Sequence, residues 1–256
     1  MIFDSHSHTK FSADSEMLAE DAISRAESLN LGIIFTEHYD YNLPGDLDFT
    51  FNAVEYMNEY KKFRSEKVKL GVEIGLRNSA REQNKKFLEQ ANFDLVIGSI
   101  HVVDDIDIYN PEFFADKDKL TAYRKYFTVM AEEVAVADFD VLGHIDYICR
   151  TAPYKNSEIE YEIFKPEIDE VLKIIVERGK ILELNTRRLN SNIAVTGLES
   201  VYKRYKEFGG EFITIGSDAH VVEAVGANFD VALKFAQKLN LKPVNFTGNR
   251  KFSPSF

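Results

Sequence analysis

The chain carries a single cysteine, Cys149, among its 256 residues. An internal disulfide is therefore excluded, and no redox motif can be built from it. In its apolar context Cys149 reads as an inert small residue. Long apolar runs are missing too. None approaches the ~18 residues that a membrane span needs. The N-terminus, Met-Ile-Phe-Asp-Ser-His, enters a strand-like segment with no basic region ahead of it, so no signal peptide is expected. Positive charge is in deficit: 31 Lys and Arg stand against 42 Asp and Glu, a net charge of −11. That balance argues against broad binding to nucleic acid or an anionic membrane. It leaves an anionic substrate open, because divalent cations and a few arginines reverse the field inside one cleft. Most of the acidic excess reads as solvated surface. Two catalytic signatures are absent as well: the chain has no Gly-x-Gly-x-x-Gly and no Gly-x-Ser-x-Gly. The expected setting is the cytoplasm, with neither membrane nor nucleic acid as partner.

What is present is a repeating pattern. Seven short apolar segments read as buried strands: Ile2-Phe3, Gly32 to Thr36, Val68 to Val72, Asp94 to Ser99, Phe139 to Leu142, Lys180 to Leu184 and Phe212 to Gly216. Helical spacing fills the gaps, over Leu18 to Leu29, Phe51 to Phe63, Ser79 to Gln90, Leu120 to Ala137, Pro166 to Arg178, Glu199 to Phe208 and Val221 to Leu239. Pro166 suits a first helical turn and Gly179 a helix stop. Strand then helix, seven times, means parallel strands with helical crossovers. With no linker or break in composition, residues 1–256 are expected to form one α/β domain. A closed or nearly closed barrel is favoured, and an open doubly wound sheet is the alternative. The tail from Pro243 to Phe256 reads as irregular, with Phe246, Phe252 and Phe256 available to pack on the barrel.

Function in either architecture sits where the strands run out. All six histidines lie just there: His6 and His8, His38, His101, His144 and His220. Glu73, Asp14 and Asp218 fall on the same rim. One such histidine means little, but six of six with three carboxylates suit Zn, Mn or Fe. His6 and His8, two apart on a strand, point the same way and can share an ion. Nine candidates exceed one coordination shell, so two or three ions are expected. Such a cluster makes hydroxide at neutral pH and neutralises a phosphoryl group under attack. Phosphate also wants guanidinium, and Arg77, Arg150, Arg187 and Arg188 are placed within reach of the rim. Two long connections, Tyr39 to Phe51 and Val102 to Lys119, read as lids or substrate loops.

These residues resemble the PHP (polymerase and histidinol phosphatase) family. The matching blocks are Asp4-Ser5-His6-Ser7-His8-Thr9 with Phe11-Ser12-x-Asp14-Ser15, then Phe35-Thr36-Glu37-His38 and Gly71-Val72-Glu73-Ile74-Gly75. Gly98-Ser99-Ile100-His101, Gly143-His144-Ile145-Asp146 and Gly216-Ser217-Asp218-Ala219-His220 complete the set, in order, over about residues 1–225. Within the family, the length and the blocks Val102 to Asn110 and Leu142 to Arg150 look most like the stand-alone histidinol-phosphate phosphatases. The resemblance implies a distorted (β/α)7 barrel with a trinuclear centre. One ion would take His6, His8, Glu73 and Asp218; a second would share Glu73 and add His101 and His144; a third would take Asp14, His38 and His220. The resemblance further implies a phosphatase acting on L-histidinol phosphate, with Glu73, His101, His144 and Asp218 at the chemistry. Phosphate would lie on the metals, clamped by Arg150 and by Arg187 or Arg188. Asp40, Asp104, Asp105 and Asp107 are candidates for the cationic end of the substrate. Another small phosphomonoester, nucleic acid ends, and a non-catalytic metal-stabilised scaffold are the competing readings.

Overall fold

The structure, a computed structural model, describes residues 1–246, 250 and 252–254. Its strands are β1 (Phe3–Ser7), β2 (Gly32–Tyr39), β3 (Val68–Gly75), β4 (Val96–Ser99), β5 (Val102–Val103), β6 (Ile106–Asp107), β7 (Val141–Leu142), β8 (Ile181–Asn185), β9 (Phe212–Gly216), β10 (Lys242–Phe246) and β11 (Phe252–Pro254). Its helices are α1 (Ala19–Ser28), α2 (Ala53–Tyr60), α3 (Arg81–Leu88), α4 (Lys119–Val134), α5 (Tyr161–Glu177), α6 (Asn192–Glu207) and α7 (Phe229–Lys238). The seven expected strands are β1, β2, β3, β4, β7, β8 and β9. They hydrogen-bond in that order, every pair parallel.

The two ends of the ladder meet through single contacts. Ser7 forms a parallel bridge with Ala219. His8 N donates to the Ala219 carbonyl at 2.8 Å, and Asp218 N to the His6 carbonyl at 2.8 Å. The buried Asp4 carboxylate adds three bonds, from Ser217 N (2.8 Å), Ser217 Oγ (2.5 Å) and Gly226 N (2.9 Å). The sheet thus curls into a distorted barrel, closed at the ends of its strands that carry the histidines.

Alternation along the strands sorts side chains into two layers. Outward residues such as Ile33, Phe35, Leu182 and Leu184 pack in the large core under the helices. A smaller cluster takes Phe3, Ile34, Ile97, Val141 and Ile181 from separate strands and fills the inside of the barrel. Phe3 faces that interior, and so do His6 and His8 further along. The irregular register between Asp4 and Ser7 supplies the odd step in parity. Gly216 is required for the same layer, since a Cβ there would strike the Glu183 carboxylate and His6.

Departures from the sequence reading are local. The described part of the tail contains two strands where an irregular segment was expected. Lys242–Phe246 extends the sheet alongside β9, and Phe252–Pro254 pairs antiparallel to it. Phe246 is buried and Phe252 lies 5.4 Å from Phe212, ring to ring, while Phe256 lies outside the described residues. Helix α6 begins before Glu199, at a Ser191 cap that accepts from Ala194 N. Helix α5 begins before Pro166, with Phe164 breaking its helical geometry just ahead of the proline. Val221 to Leu239 divides into a short 3-10 turn and α7, separated by Gly226 and Asn228 at positive φ. The Val102 to Lys119 connection holds the β5–β6 hairpin. Asp104 and Asp105 form its two-residue turn at φ 52° and 59°, the left-handed conformation that such a turn demands. Among the described residues no helix is long and apolar enough to cross a membrane.

Candidate metal centre and phosphate site

Glu73, near the end of β3, is wholly buried and stands at the middle of the site. Its Oε2 faces His6 Nε2 at 3.2 Å, His8 Nε2 at 3.5 Å and His38 Nδ1 at 2.9 Å. Its Oε1 faces His144 Nε2 at 2.8 Å and His101 Nε2 at 3.4 Å, and accepts from Ser99 Oγ at 2.6 Å. One carboxylate thus presents an oxygen to each of two imidazole groups, the posture of a bridging ligand. Asp218 follows β9 in a left-handed conformation, at φ 55°. Its Oδ1 lies 3.4 Å from His8 Nε2 and 3.8 Å from His6 Nε2. Asp14, His38 and His220 form a third group. His220 Nε2 is 3.1 Å from Asp14 Oδ2 and 3.4 Å from His38 Nε2. All nine residues singled out as ligands therefore converge.

Most of these close approaches are not hydrogen bonds; the exceptions among the histidines are His144 Nε2 with Glu73 Oε1 at 2.8 Å and His220 Nε2 with His38 Nε2 at 3.4 Å. His6 Nε2, His8 Nε2, His38 Nδ1, His101 Nε2 and Glu73 Oε2 are buried with no hydrogen-bond partner among the described residues. Several unpartnered nitrogens and a carboxylate oxygen crowded together are costly unless a cation lies among them. Donor sets within reach of one ion include His6–His8–Glu73, Glu73–His101–His144 and His8–His38–His220. Imidazole and carboxylate fit the borderline ions expected from the sequence.

Protonation states match at the carboxylates, His8 and His144, whereas at His6, His38 and His101 neighbouring carboxylates outweigh burial and raise the imidazole. Burial pushes the Glu73 carboxyl up, but His6, His38 and His101 outweigh it and hold the group well below the usual carboxylate range. Asp218 is likewise held well below that range, with Arg150 and His6 overcoming the effect of burial. Burial, aided by His38 and His220, drives His8 well below its ordinary value. Burial lowers His144 too. Anionic carboxylates and neutral imidazoles are the ligand forms, so a bound cation would replace the protons that His6, His38 and His101 otherwise hold.

An outer set of residues fixes the inner one. His6 Nδ1 lies 2.6 Å from Glu183 Oε1, and His101 Nδ1 lies 3.0 Å from Asp40 Oδ1. Each ring is thereby held by a carboxylate at the nitrogen turned away from Glu73, the arrangement that orients metal-binding histidines. His8 Nδ1 contacts Ser12 Oγ at 3.0 Å, and Ser12 donates to the buried Glu37 at 2.8 Å. Gly75 admits Asp40 to its place, because a Cβ there would overlap the carboxylate. Glu183 escaped the sequence reading. Its signal was a charged residue inside the otherwise apolar strand Ile-Leu-Glu-Leu.

A cavity of about 400 Å³ opens over the cluster. Its walls include Asp14, His38, His101, His144, Asp218 and His220, together with Arg150, Arg187, Asp40, Asp107, Tyr109 and Tyr147. Both connections marked as lids or substrate loops contribute, the first through Leu43 to Leu47 and Phe49. Arg150 is buried. It donates to Asp218 Oδ2 at 2.6 Å and stacks over Tyr147 at 4.8 Å, while its Nε has no partner among the described residues. Arg187 stands beside it, half-exposed, with Nη1 at 3.4 Å from the Asp218 carbonyl. The other two arginines are elsewhere. Arg188 turns away to Asp146 at 2.7 Å and Glu158 at 2.5 Å. Arg77 is tied to the carbonyls of Tyr41 and Asn42, so it braces a loop instead of facing the cluster. Of the four loop acids singled out, Asp104 pairs with Lys125 at 2.8 Å and the exposed Asp105 lies 3.9 Å from Arg77; Asp107 and Asp40 line the cavity, as does Asp46.

The chain is 47% identical over 247 residues to a probable histidinol-phosphatase of Clostridium acetobutylicum, covering 96% of this chain and 97% of that one. It is 33% identical to the histidinol-phosphatase of Lactococcus lactis, covering 86% and 84%. The crystal structure of histidinol phosphate phosphatase from Lactococcus lactis, complexed with zinc, L-histidinol and phosphate, superposes with a TM-score of 0.91 at 30% identity over 98% of each chain. The PHP domain model matches residues 4–187, and the chain belongs to the PHP domain family.

Proposed function

We propose that this chain is a metal-dependent phosphomonoesterase that hydrolyses L-histidinol phosphate to L-histidinol and phosphate, acting in the cytoplasm as a single barrel domain. The observation that carries the reading is one cavity with His38, His101, His144 and His220 on its floor, against a buried cluster of unpartnered imidazole nitrogens, and with Arg150 and Arg187 on its wall. Floor and wall together suit a phosphate dianion. Relatives named for this activity, one of them solved with zinc, histidinol and phosphate, support the substrate.

His6, His8, Glu73 and Asp218 would hold one ion; Glu73, His101 and His144 a second; Asp14, His38 and His220 a third. Bound there, divalent ions supply Lewis-acid activation of water and neutralise the phosphoryl charge. The chain's own residues do the rest. Glu183 and Asp40 hold His6 and His101 in the ligand tautomer. Arg150 and Arg187 orient the phosphoryl oxygens, with Arg150 pre-set by Asp218 and Tyr147. Asp107 and Asp40 are the anionic groups available to the cationic end of the substrate. In the reaction a water oxygen bonds to phosphorus, the ester P–O bond breaks, and the departing oxygen takes up a proton.

The test is phosphate release from L-histidinol phosphate by protein reconstituted with Zn, Mn or Fe. A generic phosphomonoester and a short oligonucleotide run alongside. A preference of at least tenfold in kcat/KM for histidinol phosphate is expected. Turnover of the generic ester alone overturns the substrate. Turnover of nothing by fully metallated protein overturns the enzyme.

A further inference from the structure

We infer that Asn185 is a positioning residue that joins the metal-holding half of the site to the phosphate-binding half; this rests on the phosphatase reading above. Asn185 is buried at the end of β8 and is not among the residues lining the cavity. Its amide spans two networks. Nδ2 donates to Glu183 Oε2 at 3.2 Å. Oδ1 accepts from Arg150 Nη2 at 3.3 Å and from Arg187 N at 3.1 Å.

Glu183 is itself committed on both sides. Its Oε1 meets His6 Nδ1 at 2.6 Å, and its Oε2 accepts from His144 N at 2.7 Å. A path of hydrogen bonds therefore runs from two metal-binding histidines, through Glu183 and Asn185, to both cavity arginines. The amide's direction follows from its neighbours. Turned over, it would set NH2 against a guanidinium and C=O against a carboxylate, two repulsions in a buried place.

No other uncharged side chain of similar size does both jobs, since a donor must face the carboxylate while an acceptor faces the arginines. Arg150 needs such a guide. Asp218 also holds its Nη2, but Asp218 is placed to serve a metal and cannot by itself fix the guanidinium plane. Asn185 is the second fixed point for that nitrogen, and it pins the backbone from which Arg187 departs. The metals and the arginines are thus held at a set spacing, which a phosphoryl group bound between them requires.

The experiment uses full-length, metal-saturated protein and inorganic phosphate as the probe. Calorimetry gives the phosphate dissociation constant, competition with a chelator gives metal affinity, and steady-state kinetics separates KM from kcat. N185A is expected to weaken phosphate roughly tenfold, the worth of one hydrogen bond to a charged group, and to raise KM in parallel. N185D keeps the acceptor for the arginines but opposes Glu183 with a second carboxylate. It is expected to hold phosphate within about threefold of wild type while losing roughly 10- to 100-fold in metal affinity. A merely structural role would lower the melting temperature and leave phosphate affinity and KM unmoved, and that result overturns the inference. Equal loss of phosphate affinity in both variants overturns it too. If N185A does not fold, N185D decides alone: unchanged metal affinity refutes the bridge to Glu183. Wild-type protein that binds no phosphate refutes the phosphatase reading, and this assignment with it.

Discussion

Arg187 and Arg188 are adjacent in sequence and opposite in circumstance, so replacing each by alanine separates binding from stability. Arg188 is 16% exposed at its side chain and lies between Asp146 (6%) and Glu158 (15%). Removing it strands two largely buried carboxylates. Breaking such a pair costs about 3 kcal/mol at the lower end of its range, or roughly 6–12 °C in melting temperature for a chain of this size. Arg187 is 43% exposed, and its bond to the Asp218 carbonyl is long at 3.4 Å. Its loss leaves stability within about 0.5 kcal/mol. It removes a guanidinium contact to phosphate worth about 1.5–2 kcal/mol at a half-exposed position, or roughly 10- to 30-fold in KM. Calorimetric melting and steady-state kinetics on metal-reconstituted R187A and R188A are the assay. A raised KM in R188A at unchanged melting temperature would refute the reasoning, and so would an unchanged KM in R187A.

Further outcomes can be checked directly. Glu183→Gln is expected to weaken metal binding roughly 10- to 100-fold, read by competition with a chelator, because His6 loses the carboxylate that orients it. Stripping the metals is expected to lower the melting temperature, and adding them back to restore it, since ions that bind only the folded chain stabilise it by mass action. Asp107→Asn is expected to raise KM for histidinol phosphate about tenfold while leaving that of an uncharged-tail phosphomonoester unchanged. Burial pushes the Cys149 thiol up from 9.0 to about 12. The neutral thiol therefore dominates at pH 8, with roughly a thousandfold fewer thiolates than an exposed cysteine has. Native protein should resist iodoacetamide there and react only after unfolding; rapid alkylation of the folded chain would contradict the burial.

Most of the barrel was legible because parallel strands covered on both faces are continuous apolar runs, and here each run ended in a polar ligand. The nine convergent residues were legible for the same reason: strand ends on one rim must share a space. What stayed hidden depended on partners distant in sequence. Nothing near Arg188 announced that Glu158 and Asp146 would claim it, and nothing near Arg77 announced the Tyr41 and Asn42 carbonyls. Asp104 and Asp105 looked like substrate acids because local composition does not distinguish a hairpin turn from a binding loop. Lys242–Phe246 was passed over because it is not an apolar run; its proline stands near the start of the strand, in the stretch paired with β9 and ahead of the residues paired with β11.

Barrel closure also sets a timetable. Ser217 and Asp4 bond across 213 residues of chain. At ribosomal rates of roughly 5–20 residues per second, about 10–40 s separate the synthesis of the first ligand strand from that of the last. During that interval His6 and His8 have neither Asp218 nor His220 to complete a coordination shell. A shell drawn from both ends of the ladder can close only once the loop after β9 docks on β1.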